Sequence, residues 1–227
     1  MQPSDKPTAL LLKLWPWIEA NKTRLIVGGA IVVIVVFLIS FFTWQRGQTE
    51  IAAGKAYTEL AFSVPDTASP AEWAGAYQNI EDEYPGTLAA QRAELQSAGA
   101  LFVAGKYADA QARFQQYLDT YPDGKSSGAA ALGVAASLEA QGKLEQAIGT
   151  YQRVIDGFSD VVAANTAKIA LARIAEAQGR FNDALNFYES IGRFNPGTPV
   201  ASEASMLALE LRTKMAVAVT RPAAAKP

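Results

Sequence analysis

The sequence predicts an all-α protein in which a single N-terminal transmembrane helix is followed by a solenoid of three to four helical hairpins and a closing helix. Three observations support this fold class. An uncharged apolar segment of twenty residues extends from Leu25 to Trp44. Further along the chain, one sequence pattern recurs with a constant period of 37 residues. Alanine, the residue with the highest helix propensity, accounts for 43 of the 227 residues.

The segment from Leu25 to Trp44 has the length and composition of a membrane anchor. A helix of twenty residues rises roughly 30 Å, the thickness of the hydrocarbon core of a bilayer. Two alternatives fit less well, because the apolar part of a cleaved signal peptide is shorter and a buried soluble helix is amphipathic. We therefore expect Leu25 and Trp44 to bound a helix that contacts lipid, with Trp44 at the membrane–water interface.

The distribution of charge predicts which side of the membrane each part occupies. Four basic residues, Lys6, Lys13, Lys22 and Arg24, precede the apolar segment. The positive-inside rule places such a region in the cytoplasm and the following domain on the opposite side. Residues 47–227 contain 15 basic and 20 acidic residues, a balance that argues against nucleic-acid binding.

Three segments downstream of the anchor align without gaps, beginning at Gly105, Gly142 and Gly179. A large apolar residue lies two positions after each glycine, an alanine five positions after it and an aromatic residue nine positions after it. A degenerate copy occupies residues 68–86. Each copy predicts a helix A that the glycine ends and a helix B whose alanine allows close approach, and stacked copies share one core.

These features predict four consecutive regions. They are a cytoplasmic stub over residues 1–24, the transmembrane helix over 25–44, the repeat domain over 45–219 and a disordered tail over 220–227. The apolar part of the stub, residues 8–19, is interpreted as an interfacial collar, with a partner contact as the alternative.

Composition excludes most catalytic chemistry. The chain has no Cys and no His, which removes thiolate nucleophiles, imidazole bases and the commonest zinc ligands. Residues 124–126 read Gly-Lys-Ser but lack the earlier glycine and the preceding strand of a phosphate loop, so we expect Ser126 or Ser127 to cap the next helix. The acidic residues 81–83 point in different directions on a helix, so we expect a solvated face and not a metal or acid–base cluster. We therefore predict a protein that is not an enzyme and uses no cofactor, metal or small-molecule substrate.

The recurring order of small residue, glycine, aromatic residue, alanine, aromatic residue and proline resembles the tetratricopeptide repeat, although this unit is three residues longer. The resemblance implies a groove for protein partners, lined by the A helices. Its groove positions correspond to Arg92, Gly99, Phe102, Ala129, Ala136, Glu139, Thr166, Arg173 and Glu176. Among them, Phe102 is expected as an apolar anchor and Arg173 as a ligand of carboxylates or of peptide backbone. The alternatives are that Phe102 packs under the preceding repeat and that both glutamates are ordinary solvent-exposed residues.

The whole architecture resembles the YfgM-like family of ancillary subunits of the bacterial protein-conducting translocon. The residues that carry this resemblance are Trp17, Asn21, Phe41, Phe42, Trp44, Arg46, Ala56 and Tyr57. It implies a single-pass protein of the bacterial inner (cytoplasmic) membrane with a periplasmic repeat domain. Such a protein would bind Sec translocon subunits and a periplasmic folding factor and assist the transfer of secreted chains to chaperones. The alternative function is a structural scaffold for another cell-envelope complex, in division or outer-membrane assembly.

Overall fold

The computed structural model describes residues 16–17, 19–65, 67–194 and 196–220, and it confirms the all-α class. This described part of the chain contains nine long helices and no strand. Their bounds are α1 (Lys22–Ser63), α2 (Pro70–Glu83), α3 (Leu88–Val103), α4 (Tyr107–Thr120), α5 (Ser127–Ala140), α6 (Leu144–Gly157), α7 (Val161–Ala177), α8 (Phe181–Phe194) and α9 (Pro199–Thr220). Most of the predicted stub and all but one residue of the predicted tail lie outside the described residues.

The chain divides into two compact units, Met1–Ala52 and Ala53–Pro227. In the first unit, α1 includes the whole apolar segment and is long and apolar enough to cross a membrane. Its large side chains are exposed, with Ile26 at 70% and Phe37 at 67% of their full accessible area. Removing such a surface from water is strongly favourable, and a bilayer provides the apolar surroundings that would do so.

In the second unit, the same turn joins helix A to helix B in three successive hairpins. Gly105, Gly142 and Gly179 have φ angles of 76°, 75° and 72°, a conformation that glycine adopts without steric penalty. After Gly105, the Lys106 N–H donates to the Leu101 carbonyl while the Gly105 N–H donates to the Phe102 carbonyl. This Schellman arrangement ends helix A. Helix B begins two residues after each glycine, as the sequence predicts.

Alanine allows the two helices of each hairpin to approach closely. Ala110, Ala147 and Ala184 are completely buried, and so are the alanines of helix A that accompany them in the core, Ala98, Ala135 and Ala172. The aromatic residue four positions further along helix B is buried beside them, as Phe114, Tyr151 and Tyr188. The recurring residues are therefore core residues.

The hairpins stack in sequence order. Each helix from α2 to α9 packs against the next, and the A helices of successive repeats also contact each other, α3 with α5 and α5 with α7. One contact between the second and third repeats requires glycine. The ring of Phe114 on α4 occupies the space beside Gly133 on α5. A Cβ atom added to Gly133 would lie 2.6 Å from carbons of that ring.

The first repeat departs from the pattern at its alanine position. Trp73 stands where the other copies have alanine, and its ring packs on Tyr77 with centroids 5.8 Å apart. Tyr77 in turn packs on Tyr57 of α1, at 5.9 Å. A capping box fixes the start of α2, because Ser69 Oγ accepts the Glu72 N–H and the Glu72 carboxylate accepts the Ser69 N–H. Aromatic packing thus replaces the close helix approach in this copy.

The predicted serine cap of α5 is wrong. Ser126 is the N-cap residue but makes no side-chain capping hydrogen bond, since its ψ of 9° departs from the extended conformation that capping requires. Ser127 is buried and its Oγ donates instead to the Tyr121 carbonyl at 2.5 Å. This bond ties the inter-repeat loop back to the end of α4.

A charged cluster occupies the interface between the first and second repeats. Arg113 of α4 forms a half-buried ion pair with Glu81 of α2, with Nη1 and Oε2 2.9 Å apart. Glu94 of α3 lies beside this pair and is only 4% exposed, and its Oε1 has no hydrogen-bond partner. Burial and the neighbouring Glu81 charge raise the pKa of Glu94 to about 7, although Arg113 opposes the rise.

Two glycine substitutions should change stability in opposite directions. Gly133→Ala places a methyl group against the buried Phe114 ring, and we expect a loss of about 1–3 kcal/mol in the free energy of unfolding. Gly149→Ala, at an exposed position of α6 with nothing within 4 Å, should gain about 0.5–1 kcal/mol from helix propensity. Urea denaturation of both variants measures the difference; a Gly133→Ala protein as stable as Gly149→Ala would contradict the inter-repeat packing.

The raised pKa of Glu94 predicts a pH-dependent contribution to stability. The native state binds more protons at this site than the unfolded state between pH 4.5 and about 7, so this contribution falls as the pH rises through that window and is constant above it. We expect Glu94→Gln to remove the fall, which amounts to about 3 kcal/mol. Thermal unfolding of both proteins at several pH values measures it, and parallel pH profiles would disprove the assignment.

Candidate protein-binding surface

The predicted groove residues lie on the A helices of the second, third and fourth repeats. We call the layer formed by α3, α5 and α7 the A-helix face. Arg92 and Phe102 belong to α3, Glu139 to α5, and Arg173 and Glu176 to α7. Phe102, Glu139 and Glu176 occupy the same position in successive repeats, since they are 37 residues apart.

Two carboxylates of this face are held by tyrosines of helix B. The Tyr151 hydroxyl donates to Glu139 Oε2 and the Tyr188 hydroxyl donates to Glu176 Oε1, both at 2.7 Å. Burial, the hydrogen bond and the carboxylate charge all raise the pKa of each tyrosine hydroxyl. The hydroxyls therefore stay protonated, and the half-buried carboxylates stay fixed in position.

Arg173 lies close to both of these pairs. Its charge opposes the rise in the pKa of Tyr151 and also that of Tyr188. The side chain is exposed, and within the described residues it forms neither a hydrogen bond nor a salt bridge. Guanidinium donors fit carboxylates and carbonyl oxygens in a fixed fork geometry. Arg173 therefore presents unused donors next to two fixed carboxylates.

Phe102 provides an apolar counterpart in the second repeat. Its ring is half-buried and meets Tyr107 of the same repeat edge-on, with centroids 5.2 Å apart. The tyrosine position of helix B is Phe114 in this repeat, so a glutamate at 102 would have no hydroxyl partner there. At this position the A-helix face thus changes from apolar in the second repeat to charged in the third and fourth repeats.

Arg92 lines a separate cleft of about 360 Å³ near the other end of α3. The cleft also includes Leu88, Leu95 and Tyr117, together with Lys125 of the inter-repeat loop. Arg92 is about 15 Å along the helix from Phe102, given a rise of 1.5 Å per residue. Burial raises the pKa of Tyr57, and the positive charge of Arg92 opposes that rise.

The structure thus brings Glu139, Arg173 and Glu176 together, while Arg92 and Phe102 lie apart from them and from each other. Sequence reasoning missed Lys125 as a second cation of the Arg92 cleft. The repeat period gives no signal for it, because the loop that carries Lys125 differs between copies. It also missed the partners of both glutamates, although the spacing of 12 residues between each glutamate and its tyrosine recurs in the sequence. The predicted anchor residues Leu25 and Trp44 are exposed on α1.

Family comparisons agree with the repeat geometry. A model described as a tetratricopeptide repeat-like domain matches residues 16–156, and a second tetratricopeptide repeat model matches residues 140–199. Similar solved structures include a crystal structure of the nearly identical TPR-like repeats of a protein described as a kinesin light chain from Podosopora anserina. That similarity covers 78% of this chain and 97% of the other, at 14% identity and a TM-score of 0.47. No curated protein matches the sequence.

The two tyrosine–glutamate bonds should contribute measurably to stability. Tyr151→Phe removes the donor and leaves Glu139 half-buried without it, so we expect a loss of about 1–2 kcal/mol in the free energy of unfolding. Phe114 at the equivalent position indicates that the ring alone is accommodated. Tyr107→Phe is the matched control, because no side-chain hydrogen bond of Tyr107 is present within the described residues. Equal urea midpoints for both variants would contradict the proposed bond strength.

Proposed function

The chain belongs to the tetratricopeptide repeat-like domain family, and from this premise we propose that it is a membrane-anchored adaptor that binds polypeptides on its A-helix face. Members of this fold bury their repeat residues against neighbouring repeats and offer the remaining surface to partners. The chain has no Cys and no His, and no family match points to an enzyme. A non-catalytic binding role is therefore the simplest one that the residues support.

The observation that carries this proposal is the position of Arg173. Its guanidinium is exposed, forms no ion pair within the described residues and lies close to two carboxylates that tyrosines hold in place. It can therefore donate to backbone carbonyls or carboxylates of a bound chain. The fixed carboxylates can at the same time accept N–H groups from it. Phe102 adds an apolar contact in the second repeat. Such a mixed surface suits an extended or helical polypeptide.

We further propose that the protein is a single-pass protein of the bacterial inner membrane, with residues 1–24 in the cytoplasm and the repeat domain in the periplasm. Support comes from the apolar part of α1 and from the four basic residues that precede it. Labelling of a cysteine introduced into the repeat domain, or protease protection, in intact and permeabilised cells tests the orientation. Digestion of the repeat domain only after the cytoplasm is opened would contradict it.

The proposed partners are Sec translocon subunits and a periplasmic folding factor, to which the adaptor would help to transfer emerging secreted chains. A membrane anchor favours this role, because confinement to the same membrane raises the effective concentration of the partners. Photo-crosslinkers at positions 102 and 173, followed by mass spectrometry in intact cells, test the assignment. Position 152, exposed on α6, provides the control. Crosslinks to division or outer-membrane assembly proteins that persist when secretion is blocked would favour the scaffold function instead.

Arg173→Ala should weaken the binding of any partner captured from position 102. We expect about a tenfold loss of affinity, which corresponds to one charge-assisted hydrogen-bonding contact of about 1.4 kcal/mol. The matched control is Arg180→Ala, since Arg180 lies seven residues away in an exposed ion pair with Asp183. Binding measured on purified full-length proteins in detergent separates the two. An equal effect of both substitutions would exclude a specific role for Arg173.

A further inference from the structure

A cleft of about 320 Å³ opens at the interface between the first and second repeats. We call it the Glu94 cleft. Its lining includes three carboxylates, those of Glu81, Asp82 and Glu94, with the polar side chains of Gln116 and Thr120 on the α4 side. The only cation in contact with this group within the described residues is Arg113, which is bound to Glu81. The cleft therefore carries an excess of negative charge.

Glu94 is the unusual member of this group. Its side chain is more than nine-tenths buried and it lines the cleft, yet Oε1 accepts no hydrogen bond. Leaving a buried carboxylate oxygen without a donor is destabilising. The fold does not need a carboxylate here, because the equivalent position is Ala131 in the next repeat and Lys168 in the one after it.

The other two positions of the charged cluster show the same contrast. Glu81 corresponds to Leu118 and Ile155 in the later repeats, and Arg113 corresponds to Thr150 and Phe187. The later interfaces are thus closed largely by apolar side chains at positions where the first interface has charges. Glu81 and Arg113 satisfy each other in an ion pair, but neither packing nor pairing accounts for the carboxylate of Glu94.

We propose that the Glu94 cleft receives a basic side chain, lysine or arginine, of a polypeptide bound by the repeat domain, with the Glu94 carboxylate as its acceptor. The proposal rests on the proposed function for the nature of the occupant. An ammonium or guanidinium group would supply the donor that this carboxylate lacks and balance the excess carboxylate charge. The cleft then selects partner segments that present a basic residue next to the first repeat interface.

The groups that face Glu94 determine how binding couples to pH. They are Glu81 and Asp82 from α2, and Arg113 and Tyr121 from α4 and its following loop. The charged residue of α5, Glu139, lies at the far end of that helix and is bonded to Tyr151. A cation in the cleft favours the ionised form of Glu94. Its binding should therefore lower the pH at which this carboxyl group titrates.

The test uses the full-length protein in detergent micelles, labelled with ¹³C at the glutamate carboxyl carbons. The Glu94 signal is assigned by its loss in Glu94→Gln, or in Glu94→Ala if the first variant folds poorly. The probe is blocked lysine (N-acetyl-lysine methylamide) at millimolar concentration, and blocked norleucine is the matched control without the ammonium group. We expect blocked lysine to lower the titration midpoint of Glu94 by about one pH unit and norleucine to leave it unchanged. Equal midpoints with both probes would overturn the proposal.

A second measurement tests the polypeptide source of the cation. A photo-crosslinker at Gln116, on the rim of the cleft, should capture partner segments within a few residues of a lysine or arginine. Crosslinked sites with no relation to basic residues would overturn the proposal. The cation site and the proposed binding on the A-helix face can be excluded separately. If position 173 gives crosslinks but blocked lysine leaves the titration midpoint of Glu94 unchanged, only the cation site is excluded. If blocked lysine lowers that midpoint but position 173 gives no crosslink, only binding on the A-helix face is excluded.

Discussion

The rest of the structure depends on the close approach of two helices over a pair of alanines. Ala110, Ala147 and Ala184 are fully buried against the A helices, and a larger side chain there would separate the helices and change their crossing angle. The glycine turn that precedes each helix B has the same φ angle within a few degrees in all three hairpins. The same turn followed by the same buried alanine recurs in each hairpin, in step with the constant period of 37 residues.

A fixed backbone repeat makes every position comparable with its counterparts, so differences between copies identify residues that the fold does not require. Position 94 holds glutamate, and its counterparts are alanine and lysine. Position 102 holds phenylalanine, and its counterparts are two glutamates. The glutamates occur only where helix B supplies a tyrosine hydroxyl, which indicates that each buried polar group was accommodated together with its partner. Glu94 has no such hydrogen-bond donor for its Oε1, which distinguishes it from Glu139 and Glu176.

The sequence predicts the helices and hairpins because the features that determine them are local. The glycine turn, the alanine and the aromatic residue of one hairpin fall within about ten residues, and their repetition makes the pattern unambiguous. The Glu81–Arg113 ion pair and the Glu94 cleft join residues from three helices in two repeats, and no periodic pattern marks them because only one interface has them. The sequence predicts a solvated face for the acidic residues 81–83, a prediction that is wrong for Glu81, which is half-buried in that pair. The partner of a charged residue is determined by packing between repeats, which local sequence does not encode.

The domain therefore contains a buried carboxylate, Glu94, and two half-buried ones, Glu139 and Glu176, and the two kinds differ in their hydrogen bonding. Glu139 and Glu176 receive a tyrosine donor within their own hairpins, so their desolvation is offset before any partner arrives and their position is fixed. Glu94 has an oxygen without a donor, so part of its desolvation is not offset in the isolated protein. A ligand that supplies that donor to the folded state alone stabilises the fold by mass action. If the Glu94 cleft binds the proposed cation, stability and recognition are thermodynamically coupled at the first repeat interface, whereas the proposed role of Arg173 requires no such coupling.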